Sequence, residues 1–174
     1  ATSVYAPRSS GQARAIRRAL EKAGAEPQSI GLVEAHGTGT RAGDLAEVGG
    51  LKEAFASSST EAWCALGSVK SQIGHTKSAA GAASLAKCVF ALRHKVLPPP
   101  VNVTKPDPRL GLEGSPFYLS TAARPWIAAG DQPRRSSVSS FGFGGSNYHT
   151  LLEEYRGRGR HAPRIRTLPA ELFL

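Results

Sequence analysis

The feature that most constrains this chain is a short apolar run, Ile30-Gly31-Leu32-Val33-Glu34-Ala35, that stops at the glycine-rich polar loop His36-Gly37-Thr38-Gly39-Thr40. A run of this length with one interior acid reads as a buried strand, and the loop then lies at its C-terminal end. Helical spacing follows at once over 44–55, through Leu45, Val48, Leu51 and Phe55. The cycle recurs. A strand is expected over 63–66, then a polar segment over 68–76 that holds Lys70 and His75. After it comes an Ala-rich helix over 77–93, with Leu85, Val89 and Leu92 on one side.

Upstream, Ile16, Ala19, Leu20 and Ala23 mark one face of a helix over 11–23, ended by Gly24 with Pro27 beyond. Downstream, the prolines at 98–100, 106 and 108 leave only short extended pieces around 101–103. Strands are expected over 117–120, 136–140 and 147–154, the last two joined by the tight turn Phe141-Gly142-Phe143-Gly144-Gly145. Strands separated by helices, then a hairpin, imply an α/β layered fold with a mixed sheet, and such folds place ligands at the loops that end their strands.

Composition narrows the class. The 174 residues suffice for one globular domain, and no apolar run is long enough to span a bilayer. The start, Ala1-Thr2-Ser3-Val4-Tyr5, has no signal-peptide character, and the absence of Met suggests a piece of a longer, cytoplasmic polypeptide. Cys64 and Cys88 sit in apolar stretches without metal or disulfide spacing and read as buried thiols in a reducing compartment. The net charge of +9 owes much to Arg156, Arg158, Arg160, Arg164 and Arg166 in a Gly- and Pro-containing tail. With no interleaved aromatics it reads as a solvated linker, not a nucleic-acid surface.

Three segments carry a resemblance. Val33-Glu34-Ala35-His36-Gly37-Thr38-Gly39-Thr40, Gly67-Ser68-Val69-Lys70-Ser71-Gln72-Ile73-Gly74-His75-Thr76 and Ser139-Ser140-Phe141-Gly142-Phe143-Gly144-Gly145-Ser146-Asn147 resemble, in order, the signatures of β-ketoacyl synthases. These are the condensing (ketosynthase) domains of type I polyketide and polyunsaturated fatty acid synthases. The resemblance covers about 5–155 and implies the second, C-terminal half of a thiolase-like α/β/α fold. It divides the chain into that half-domain over 1–155 and a basic linker over 156–174, similar to those leading to an acyltransferase domain.

The reaction so implied is a decarboxylative Claisen condensation of a malonyl unit, carried on the phosphopantetheine arm of an acyl carrier protein, with a cysteine-bound acyl group. By resemblance His36 and His75 are the two imidazoles that hold the enolate oxygen, and preorganised donors count most in a water-poor site. His75 stands before the Ala-rich helix, where the positive end of the macrodipole favours a neutral ring. Lys70 matches the family's lysine and Glu47 the acid that pairs with it, a pair that orients the loops. Thr38 and Thr40 match contacts to the arm, which Gly37 and Gly39 allow to come close. Phe143 matches the aromatic gate of the acyl pocket, and a packed core aromatic is its plainer reading.

The family's nucleophilic cysteine belongs to the first half, and no such segment is present, so the fragment is expected to be inactive by itself. The implied partners are that N-terminal half, an acyl carrier protein and, in the parent, a second copy forming a homodimer; no bound cofactor, metal, nucleic acid or membrane is implied. The alternative is a non-catalytic, chain-length-factor type subunit, but two donor imidazoles and their lysine have no chemical use there.

Overall fold

The computed structural model describes residues 6–56, 61–103, 105–128 and 130–157. The tail arginines from Arg158 onward, and with them most of the linker expected over 156–174, lie outside the described residues. In chain order the elements are α1 (Ser9–Ala23), β1 (Ile30–Glu34), α2 (Arg41–Ala54), β2 (Cys64–Gly67), α3 (Lys70–Ile73) and α4 (Ala80–His94). The rest are β3 (Val96–Leu97), β4 (Phe117–Tyr118), β5 (Arg124–Pro125), β6 (Arg135–Phe141) and β7 (Asn147–Glu153).

The main sheet has the order β4-β2-β1-β6-β7, with β7 antiparallel to β6 and the other neighbours parallel. It is therefore mixed, as expected. Side chains alternate across β1, so Val33 joins Ile16, Leu20, Leu51 and Phe55 beneath α1 and α2. Leu32 joins Cys88, Leu92 and Val138 beneath α4 on the opposite face. Those two cores make three layers, α/β/α. The ends of β1 and β2 come out side by side at the centre of the sheet, and the two sequence motifs begin there.

Three expectations need correction. The Ala-rich helix does not bury Leu85 and Val89, which are 39% and 45% exposed. Its inner stripe is Ala80, Ser84, Cys88, Ala91 and Leu92, because small side chains let the helix lie close on the sheet. The same helix starts at Ala80, after a single 3₁₀ turn over Lys77–Ala79. Residues 101–103 form no strand; β3 pairs instead with β5, two-residue strands too short to leave a periodic signal. One glycine has a packing reason: the register of β1 against β6 shifts at Gly31, where a Cβ would lie 2.8 Å from Trp126 Nε1.

Candidate active site

His36 and His75 meet. Their ring centroids are 5.8 Å apart and the planes stand at 88°, with the Phe141 ring 6.1 Å from His36. The first imidazole comes from the loop after β1 and the second from the segment after α3, so the sheet register of β1 and β2 sets their separation.

The loop carrying His36 is held from beneath. Glu47 is buried in the first turns of α2 and accepts hydrogen bonds from the backbone N–H of His36 at 2.7 Å and of Gly37 at 2.8 Å. Its carboxylate thus grips the backbone and makes no ion pair with Lys70, in contrast to the pairing expected from the sequence. Burial pushes the Glu47 carboxyl up to about 7 against the pull of those two N–H groups. Gly37 has φ +50°, and a Cβ there would lie 2.6 Å from Ser68 Cβ. The glycine is required because the His36 loop packs on the loop that follows β2, and it also lines the neighbouring cleft.

The second loop is fixed by short-range bonds. His75 Nδ1 accepts from the backbone N–H of Lys77 at 3.0 Å, and Lys77 adopts φ +53° to present it. An accepting Nδ1 puts the neutral ring's proton on Nε2 and leaves that atom a donor. This contact fills the role expected of the helix end, which lies further along the chain. Burial, then electrostatic repulsion from Lys70 and His75, holds the His36 ring down at about 4, so that ring is neutral at pH 7. Burial pushes the Lys70 ammonium down, and Glu34 and then Glu47 draw it back up.

His75 borders a cleft of about 600 Å³ that is also lined by Thr38, Lys70, Val101, Asn102 and Lys105 among others, and by Ala35 and Gly37 on either side of His36. Val101 N–H donates to Ser71 Oγ and the Asn102 amide to Ser71 O, so the proline-rich segment forms a wall of the cleft. Proline content alone gives that segment no such role. Thr40 accepts from Gly43 N–H as the N-cap of α2, and Thr38 exchanges a 3.1 Å hydrogen bond with it. Phe143 stands 77% exposed on the glycine turn between β6 and β7. Phe141, not singled out from the sequence, is the aromatic beside His36; its alternation with core positions of β6 was the available signal.

Glu34, also missed, ends β1 fully buried and binds Lys87, Ser84 and Val69. An acid inside an apolar strand demands a partner, and that demand was the clue. Cys64 and Cys88 are buried in the two cores. Burial raises both thiols, Cys88 to about 12 with Glu34 adding to the effect. Among the described residues no cluster of His, Cys, Asp and Glu could hold a metal, and no helix is long and apolar enough to cross a membrane.

The chain as a whole has similar counterparts among known proteins. The family model described as "Beta-ketoacyl synthase, C-terminal domain" matches residues 1–104. A polyunsaturated fatty acid synthase polypeptide of Thraustochytrium sp. is 42% identical over 100% of the chain, which covers 6% of that protein. Polyketide synthase PksL of Bacillus subtilis is 42% identical over 91% of the chain and 4% of its own length. The solved ketosynthase from module 6 of the bacillaene synthase of Bacillus subtilis 168 superposes with a TM-score of 0.85 at 42% identity, over 91% of this chain and 30% of that one. The chain therefore spans less than a third of a whole ketosynthase structure. Its layered sheet is the C-terminal part of a thiolase-like fold, and the chain belongs to the β-ketoacyl synthase family, as a C-terminal ketosynthase domain of the kind found in polyketide and polyunsaturated fatty acid synthases.

Proposed function

We propose that His36 and His75 together hold the enolate oxygen formed when a malonyl thioester loses carbon dioxide, within a complete condensing domain to which this chain contributes the C-terminal part. The observation that carries the reading is the pair of imidazoles with ring centroids 5.8 Å apart, close enough for a single oxygen atom to reach both, where His75 and the neighbours of His36 line one cleft. As the carboxylate departs as carbon dioxide, its bonding electrons pass into the enolate. Two N–H donors stabilise the oxygen in place before the charge appears. The enolate carbon then attacks the acyl thioester on a cysteine supplied by the first half of the domain, and the thiolate leaves.

Burial first, and then the positive charge of Lys70, keep the His36 ring neutral, hence a donor rather than an acid. Glu47 acts through the backbone, fixing where the His36 loop sits. The cleft walls, from Thr38 to Lys105, receive the phosphopantetheine arm of an acyl carrier protein, with Thr40 supporting Thr38, and Phe143 takes the part of the acyl-pocket gate that the family resemblance implies. In this reading residues 1–155 complete the condensing domain, 156–174 lead on to the next domain, and the parent works as a homodimer.

The test is His75→Ala in the complete condensing domain. Malonyl decarboxylation should fall by at least about 100-fold while acyl loading of the cysteine persists, since loading does not use this donor. Decarboxylation that survives the change would end the proposal.

A further inference from the structure

Glu34 has a side chain with no exposure at all, lying two residues before His36. Its Oε1 accepts from Val69 N–H at 2.5 Å and from Ser84 Oγ at 3.3 Å, and its Oε2 from Lys87 Nζ at 2.7 Å. Those three partners belong to different parts of the site. Val69 opens the segment that delivers Lys70 and His75, whereas Ser84 lies in the second turn and Lys87 at the middle of α4, the helix that follows His75. Lys87 is itself buried, its side chain 8% exposed.

A buried ion pair of this kind is a weak source of stability, because desolvation consumes most of its Coulombic gain. Its geometry has a sharper consequence. The end of β1, the turn after β2 and the first half of α4 cannot shift against one another without breaking a charge-assisted hydrogen bond. Two imidazoles that must meet one oxygen atom tolerate little such shift, since misplacement by about 1 Å can cost about 100-fold in rate.

We propose that Glu34 is a positioning residue for the condensing site, setting the separation of His36 and His75 by tying β1 to the backbone N–H of Val69 and to α4. The inference rests on the role given to the two histidines above. The acceptor for Val69 is the working part, and Lys87 balances the charge that acceptor carries.

The experiment compares Glu34→Gln/Lys87→Met with Glu34→Met/Lys87→Met in the complete condensing domain, with Ser84→Ala as a milder change and His75→Ala as the reference. Acyl loading of the cysteine, kcat and KM for decarboxylation of a malonyl-carrier protein, and thermal stability are measured. Both double variants are free of an unpaired buried charge, but only the glutamine keeps an acceptor for Val69. The glutamine variant should stay within about threefold of the parent. The methionine variant should lose about 10-fold or more in kcat with KM and acyl loading unchanged, and Ser84→Ala a few-fold. Equal kcat in the two double variants, or loss of loading and decarboxylation together in the methionine variant, overturns the proposal. Decarboxylation retained in His75→Ala would instead sink the reading of the histidines, so the two failures are told apart.

Discussion

Gly37→Ala is the most incisive perturbation of the site, because the added atom meets two separate obstacles. The backbone at residue 37 has φ +50°, a left-handed conformation that costs a residue with a Cβ about 1–2 kcal/mol. The new methyl would also lie 2.6 Å from Ser68 Cβ and 2.7 Å from Ser68 Oγ, at distances where a neighbour must move. Overpacking of this kind costs about 1–3 kcal/mol, so the two effects together amount to about 2–5 kcal/mol. What moves is the loop that leads to Lys70 and His75. The change should therefore lower decarboxylation by more than it lowers acyl loading of a complete condensing domain.

Adding Ser68→Gly removes the atoms in the way but leaves the backbone strain, so the pair Gly37→Ala/Ser68→Gly should regain about 1–3 kcal/mol of the loss. Urea denaturation of the parent domain and the two variants gives the stabilities, and carbon dioxide release from a malonyl-carrier protein gives the rates. A Gly37→Ala domain with parental stability and rate would refute the argument that this glycine serves loop packing.

Two other expectations follow from burial. His149 hydrogen-bonds Ser139 at 3.1 Å and is held down at about 4 by burial, whereas in the unfolded chain it titrates near 6.5. Between those values the unfolded state binds more protons, so stability rises with pH across this window and about 3 kcal/mol is lost as pH falls from about 6.5 to about 4. Glu47, raised to about 7, has the opposite slope between 4.5 and 7. The His149 share is accordingly the difference in urea stability between the parent domain and His149→Asn, and parallel pH curves for the two would contradict it. Cys64 and Cys88 should resist iodoacetamide at pH 8 in the folded domain and react in denaturant, as read by mass spectrometry; native labelling of either would contradict their burial.

The sequence was most legible where physics is local. Apolar periodicity located every main-sheet strand and the three long helices, because alternation and helical spacing are dictated by which side of an element meets the core. It failed on α4, where bulk was taken as the mark of burial. Close packing on a sheet favours Ala, Ser and Cys at the contact and leaves Leu85 and Val89 outside. It also failed on β3 and β5, whose pairing depends on chain segments about thirty residues apart.

For the site, the sequence supplied the cast of the proposal: His36, Lys70 and His75 stand in the motifs that carry the family resemblance, and Glu34 is an acid inside an apolar strand that needs a partner. Tertiary structure decided how they act. It turned Glu47 from an expected partner of Lys70 into a clasp on two backbone N–H groups, gave Gly37 to Ser68, and joined Glu34 to Lys87 across 53 residues. Such contacts are invisible in one dimension because hydrogen bonds are short and directional, so partners distant in the chain are chosen only when packed layers bring them within about 3 Å.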